Sequence, residues 1–248
     1  MRKFFFFGMI LIAFSSVVIA RSNNDSLWKA AAEAYRNKSY EQALADYDSL
    51  INRGYSSAVL FNNAGNAAFK SKHLGKAVWC YEKAYRLDPC NEEIKYNKDL
   101  MRYKTLDRVE ELPSIAPISW LNRSSLITSP IVWYWLGIVF IVVFALSLFL
   151  RHKGILKKAW LSGISIFIAI NLFVLAFNSH HLIYGREMAV IQFPSVGILS
   201  APDATGVEVF QLHEGTLVEI KGKQGNWQKI RLADGKEGWM SKEAARGF

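Results

Sequence analysis

Residues 131–150 read IVWYWLGIVFIVVFALSLFL, twenty positions from Ile131 to Leu150 without a charged side chain. At 1.5 Å of rise per residue, a helix of that length reaches about 30 Å, the thickness of a bilayer's hydrocarbon core. A second uncharged stretch covers residues 159–178, and between the two lie Arg151, Lys153, Lys157 and Lys158 in the eight residues 151–158. Short loops rich in Lys and Arg stay on the cytoplasmic side of a membrane. The sequence therefore predicts a transmembrane hairpin whose flanking regions share the opposite side. Helices buried in a soluble core would be amphipathic, and neither stretch is.

The N-terminus agrees. Met1-Arg2-Lys3 is basic, Phe4 to Phe14 is apolar, and Val18-Ile19-Ala20 supplies small residues before Arg21. Residues 1–20 read as a signal peptide, with an uncleaved anchor as the alternative, and either one exports the chain from Arg21 onward. The net charge of +9 suggests nucleic acid at first sight. Its distribution removes that reading, because residues 113–184 hold five bases and no acid while residues 185–248 hold eight of each. The excess sits in the leader and the apolar region, where it sets orientation. Cys80 and Cys90 are the two cysteines. With Cys80 on a helix running to about Asp88, their Cα atoms would be more than ~12 Å apart, too far for a disulfide. They read as a core thiol and a surface thiol.

Residues 27–89 repeat with a period of 34: Ala31 with Gly65, Tyr35 with Phe69, Tyr40 with Leu74, Ala43 with Ala77, Tyr47 with Tyr81, and Leu50 with Ala84. Small residues at helix crossings and aromatics between them, at this period, resemble tetratricopeptide repeats. The expected helices run roughly 26–37, 40–52, 57–71 and 74–87, with Ser56 or Ser57 capping the third and Pro89 stopping the fourth. Asn91-Glu92-Glu93 begins a further capping helix to about Val109. The domain spans residues 21–112, as two repeats (about 24–57 and 58–91) plus the cap. Two repeats fall below the usual minimum of about three, so the domain is expected to gain stability from a partner or from self-association.

The resemblance implies a concave groove lined by the first helix of each pair, and so by Trp28, Tyr35, Asn62, Asn66, Phe69 and Lys70. Asn62, Asn66 and Lys70 are spaced four apart and share one helix face, with donors suited to peptide backbone or a carboxylate. The competing reading makes the aromatics core and the two amides merely solvated. Residues 113–130 read as a linker into the first span. Trp120, Trp133, Tyr134 and Trp135 look like an interfacial aromatic belt, with binding-site aromatics as the alternative. Asn171 is the strongly polar side chain deep in the second span, at the expected depth of Gly137. The pair reads as interhelical glue or an oligomer contact.

Residues 185–248 change to short Val/Ile/Leu/Thr stretches separated by turns such as Gly225-Asn226 and Asp234-Gly235. Five strands are expected, around 190–191, 197–199, 216–220, 227–232 and 238–240. Leu212-His213-Glu214-Gly215-Thr216-Leu217-Val218, Gly225-Asn226-Trp227 and Asp234-Gly235-Lys236-Glu237-Gly238-Trp239 resemble the bacterial SH3-like small barrel. Such domains often bind cell-wall peptides or protein segments. The usual Asn-x-Arg-Ser-Gly-Pro segment of these domains is replaced here by Gly197-Ile198-Leu199-Ser200-Ala201-Pro202. Trp227 and Trp239 are read as barrel core, Trp239 closing against Leu217 and Ile230, with ligand contact as the alternative. His213 is read as structural.

The whole arrangement resembles the BatE family of aerotolerance operons in Bacteroides and relatives. The phrases Asn63-Ala64-Gly65-Asn66, Leu212-His213-Glu214-Gly215-Thr216 and Ile230-Arg231-Leu232-Ala233-Asp234-Gly235 carry that likeness. The resemblance implies an inner-membrane protein with both soluble domains periplasmic, tied to aerotolerance and oxidative stress. The implied partners are von Willebrand-type and other tetratricopeptide proteins and a MoxR-type ATPase. The chain shows no catalytic constellation and no phosphate-binding glycine loop, so neither an enzyme nor a cofactor is expected. Two readings remain: a membrane-anchored interaction scaffold, or a peptidoglycan-binding or envelope-sensing module.

Overall fold

Residues 25–102 fold as five helices: α1 over 25–36, α2 (Tyr40–Asn52), α3 (Ala58–Lys70), α4 (Leu74–Leu87) and α5 (Glu92–Arg102). The computed structural model describes residues 25–110, 112–113, 115–203 and 205–248, so the leader expected at 1–20 lies outside the described residues. Ser57 caps α3 by accepting from the Leu60 amide, and Asn91 caps α5 by accepting from Glu93 and Ile94. The 34-residue spacing holds in burial: Ala43 and Ala77 are both fully buried, and Tyr47 and Tyr81 nearly so. It also holds in the backbone. The Lys38 amide donates to Tyr35 and that of Ser39 to Ala34, while Lys72 donates to Phe69 and His73 to Ala68. Lys38 and Lys72 take φ of 63° and 67°, the left-handed turn that closes a helix end. Cys80 is buried, which pushes its thiol up to about 12, and Cys90 is exposed.

Helix α6 (Ala116–Ser125) lies within the stretch read as a linker. The apolar helices α7 (Pro130–His152) and α8 (Trp160–Tyr184) then pack along one another. Their mean hydropathies are 2.5 and 2.2, and only 11% and 22% of their most apolar stretches are buried. Both are long and apolar enough to cross a membrane. Such low burial sets them apart from the core helices of a soluble protein, and several of their serines turn inward. Ser147 Oγ donates to Ser162 Oγ at 2.8 Å, and Ser162, Ser165 and Ser179 are nearly inaccessible.

Asn171 corrects the expected interhelical contact. Gly137 does abut α8, since an added β-carbon would lie 3.0 Å from the Phe173 ring. The Asn171 side chain, however, is exposed and donates to Phe167 O at 2.9 Å in its own helix. A donor that can reach the carbonyl one turn back needs no neighbouring helix. Inter-helix hydrogen bonds run instead from Ser147 to Ser162, from Asn178 to Ser125 and from Trp133 to Ser125.

The C-terminal part is a seven-stranded antiparallel sheet in the order β3-β2-β6-β5-β4-β1-β7. Its strands are β1 (Met188–Ile191), β2 (Ser195–Leu199), β3 (Glu208–His213), β4 (Leu217–Gln224), β5 (Trp227–Arg231), β6 (Glu237–Ser241) and β7 (Ala245–Gly247). β3 and β7 fell outside the five expected strands. Glu208-Val209-Phe210-Gln211 has two apolar side chains that stay outside the fully buried core, on a pairing edge, and Ala245-Arg246-Gly247 is too short to announce itself.

The two soluble parts are not separate modules. The Gly75 amide donates to Glu214 Oε1 at 2.7 Å, and Gln192 Nε2 donates to Gly75 O at 3.2 Å. Trp79 Nε1 donates to Gly247 O at 2.9 Å, and Arg86 Nη1 to Phe248 O at 2.7 Å. Val190 is buried in the helical core, and Leu217 and Phe248 pack on it. Helix α5 ends at Arg102 rather than near Val109 because the next segment is captured by the sheet. Asp107 accepts from the His213 and Thr216 side chains at 2.8 and 2.6 Å and from the His213 amide at 2.7 Å. Val109 packs on the sheet core.

Desolvation raises the Asp107 pKa, but the hydrogen bonds from Thr216 and His213 outweigh it and leave the carboxyl below its ordinary value. A depressed carboxyl stabilises the fold above its unfolded pKa, near 4, and that contribution is withdrawn as pH falls through the folded value. Thermal unfolding of the full chain between pH 7 and pH 3 is expected to show this acid loss. Asp107→Asn is expected to be less stable than wild type at pH 7, by roughly 1–2 kcal/mol, and to have a flatter acid limb. An unchanged acid limb in the variant would remove Asp107 from the seam's energetics.

Candidate functional site

Side chains alternate across a strand, so directly opposed residues on neighbouring strands share a face. On one face Ile198, Leu212, Val218, Ile220, Ile230 and Met240 form the sheet's buried core. Gly238 belongs to this face because Ile198 occupies the space a β-carbon would need. Across the strands the opposite face reads as three rows. Glu219, Arg231 and Glu237 form the first, Lys229, Trp239 and Leu199 the second, and Gln224, Trp227 and Ser241 the third.

Trp239 is therefore not a core residue. It stands partly exposed beside Leu199 and Lys229, and Trp227 stands partly exposed at the diagonal position. The one-residue step from Trp239 to Met240 decides the matter, since Met240 is 0% exposed and fills the place expected for Trp239. Leu217, expected to close against Trp239, packs on the helical core instead. Ion pairs occupy one side of this face: Lys229 Nζ lies 2.7 Å from Glu237 Oε2, and Lys221 Nζ lies 2.8 Å from Glu219 Oε1. The hydrogen bond and charge of Lys229 hold the Glu237 carboxyl below its ordinary range. The face thus offers two flat apolar surfaces and a leucine beside a paired, fixed set of charges, which suits a short peptide with apolar side chains.

The six residues assigned to a groove on the helices lie otherwise. Trp28 and Phe69 pack on the helical core, Trp28 edge-on to Tyr47 at 5.8 Å and Tyr35 edge-on to Tyr40 at 5.2 Å. Asn62 is 5% exposed, donates to Glu93 Oε1 at 2.9 Å and accepts from Asn97 Nδ2 at 3.0 Å. Its amide is committed to holding α5, so the expected exposed face fails at its first member. Asn66 Oδ1 accepts from the Tyr81 hydroxyl at 2.7 Å, and Lys70 is exposed. Arg151, Lys153, Lys157 and Lys158 are exposed at the turn between α7 and α8.

The sequence reading missed Trp79, which is 4% exposed. Its indole meets the Phe61 ring edge-on at 5.6 Å and lies 3.6 Å from the Arg246 guanidinium. A signal was present: one period earlier stands Ala45, which is exposed, and Gly75 stands one period after exposed Glu41. A tryptophan and a glycine where the first copy has surface residues mark a helix face covered by something else.

The sheet and its two-sided alternation define a small antiparallel domain of the SH3 type. Residues 194–244 match the bacterial SH3 domain family. No curated protein matches the chain. The match takes in β2 to β6 and leaves out β1 and β7, both of which contact the helices.

Two alanine variants separate the faces. Met240→Ala is expected to cost about 2–5 kcal/mol as a buried large-to-small change. Trp239→Ala is expected to cost about 1 kcal/mol or less, the worth of a cross-strand pair. Chemical denaturation of the full chain in detergent checks both, and a larger loss for Trp239→Ala would return it to the core.

Proposed function

We propose that this chain is a membrane-anchored protein-interaction scaffold of the bacterial inner membrane, without catalytic activity of its own. In this reading α7 and α8 span the bilayer, the basic turn 151–158 faces the cytoplasm, and the helical and SH3-type parts lie in the periplasm. The helical part would be a tetratricopeptide pair, and the functional analogy is with the BatE-type complex of aerotolerance. That analogy would bring von Willebrand-type proteins, other tetratricopeptide proteins and a MoxR-type ATPase as associates.

The observation that carries the reading is the open sheet face with Trp227 and Trp239 outside the core. Leu199 supports a protein segment over the cell wall as its ligand. In the family pattern its position in the Gly197–Pro202 segment belongs to an arginine, and here it sits opposite Trp239. Replacing a cation by leucine makes the face more apolar and less suited to the carboxylates of wall stem peptides.

Random peptides displayed on phage and panned on the full chain in nanodiscs should yield apolar-containing ligands. Trp227→Ala and Trp239→Ala should each weaken them about tenfold or more, in line with a buried aromatic anchor, without changing the melting temperature by more than a few degrees. Sedimentation with purified sacculi should show no binding that these variants remove. Sacculus binding lost in Trp239→Ala would replace this reading with peptidoglycan recognition.

Orientation has its own test. Reporter fusions at Gly154 should read cytoplasmic, and fusions after Phe248 periplasmic. Neutral replacements of Arg151, Lys153, Lys157 and Lys158 together should scramble that pattern. A cytoplasmic signal from the Phe248 fusion would overturn the hairpin.

A further inference from the structure

Helix α6 is held to its neighbours by polar groups, while the large apolar side chains Ile118 and Trp120 stay exposed. Asn178 Nδ2, on α8, donates to Asn122 Oδ1 at 3.0 Å and to Ser125 Oγ at 2.7 Å. Trp133 Nε1, on α7, donates to the Ser125 carbonyl at 3.0 Å. Ser125 is 0% exposed, whereas Ile118 and Trp120 in the helix are 48% and 70% exposed, and Ile115 and Ile127 just outside its two ends are 67% and 73% exposed.

In water this arrangement is upside down, since each large apolar side chain left in solvent forgoes the favourable transfer that burial brings. Against lipid it is the expected one, with polar groups paired inside and apolar groups outside. The helix has ten residues, so it reaches about 15 Å and cannot cross a bilayer. It packs on α8 toward that helix's C-terminal end, where Asn178 lies, and leads directly into the start of α7 at Pro130. Both contacts fix it at one edge of the apolar layer. Arg123 is its one charge, and residues 113–184 contain no Asp or Glu. A lone cation among aromatic and aliphatic side chains suits the anionic headgroup boundary.

We infer that α6 is an interfacial membrane helix, its Ile118 and Trp120 side chains set among phospholipid headgroups and upper acyl chains. This rests on the membrane reading above and adds a third lipid-embedded element to it.

The test uses the full chain with Cys90→Ser and one cysteine added at a time: Trp120→Cys, Ile127→Cys, Val139→Cys in the middle of α7, or Asn226→Cys on an exposed sheet turn. Each is labelled with an environment-sensitive fluorophore. The protein is placed in nanodiscs of phosphatidylcholine with some phosphatidylglycerol, brominated either near the headgroup or near the chain end. Positions 120 and 127 should lose fluorescence to the shallow bromines more than to the deep ones, position 139 the reverse, and position 226 to neither. If position 139 is unquenched, the membrane reading fails and takes this inference with it. If 139 is quenched while 120 and 127 stay water-like, the α6 assignment alone is overturned. Shielding at 120 without lipid quenching, together with disulfide cross-linking between copies at that position, would assign the face to a second copy instead and overturn it equally.

Discussion

Gly75 has no room for a β-carbon, because one would lie 2.7 Å from the Ile191 carbonyl oxygen. That close approach of α4 to β1 lets the Gly75 amide reach Glu214 and brings Trp79 under Gly247 and Arg246. The soluble part of the molecule depends on this seam. Stacks of helix pairs ordinarily need at least three copies, and the helical part here has two pairs and one further helix. Here the missing neighbour is the sheet. Val190 lies within the helical core while Ala189 and Ile191 serve the sheet's own core, so β1 is shared between the two. A domain of this size has little stability to spare, and each half supplies surface the other lacks.

The same chain carries two opposite rules of burial. In residues 25–110 and 185–248 apolar side chains go inward and charges outward, as water requires. In residues 115–184 the buried positions include Ser125, Ser147, Ser162, Ser165 and Ser179 beside small residues such as Gly137, Ala169 and Ala176, while most of the large Ile, Val, Leu, Phe and Trp side chains face outward. In the proposed bilayer setting, hydrophobicity would not hold α6, α7 and α8 together, the medium being as apolar as their own side chains. Small-residue contact and inter-helix hydrogen bonds take its place. Gly137 against Phe173 supplies the first, and Ser147 with Ser162 and Asn178 with Ser125 supply the second.

The periodic signals were legible because each residue's role repeats. Ala43 with Ala77, and Tyr47 with Tyr81, showed the helix pairs, and the repeat extends to the left-handed Lys38 and Lys72, which composition alone would not single out. The apolar pair was legible from length and charge. What stayed hidden depends on tertiary contact. Asn62, Asn66 and Lys70 share a helix face, but periodicity cannot say that Glu93 and Asn97 will fold back onto Asn62. Trp239 and Met240 are adjacent, and a strand with period two buries one or the other. The larger aromatic was the natural choice, and the register against Ile198 and Ile230 chose methionine. Asn171 looked like the interhelical amide because depth is readable from sequence, whereas helix rotation is set by packing.

The covalent and hydrogen-bonded path from the apolar pair to the sheet is short. Helix α8 ends at Tyr184 and β1 begins at Met188. The Tyr184 hydroxyl donates to Arg86 O at 2.8 Å, and Arg86 Nη2 donates to Arg186 O at 2.9 Å. A connection of about four residues spans at most about 14 Å even when fully extended. These two hydrogen bonds tie the connection to the same helix α4 that carries Gly75 and Trp79. The SH3-type domain is thus not tethered on a flexible leash. Its position relative to α8 is set through α4, and Trp227 and Trp239 are set with it. The sheet is thereby held in a set relation to α8, and none of the ordering entropy of a long linker stands between them.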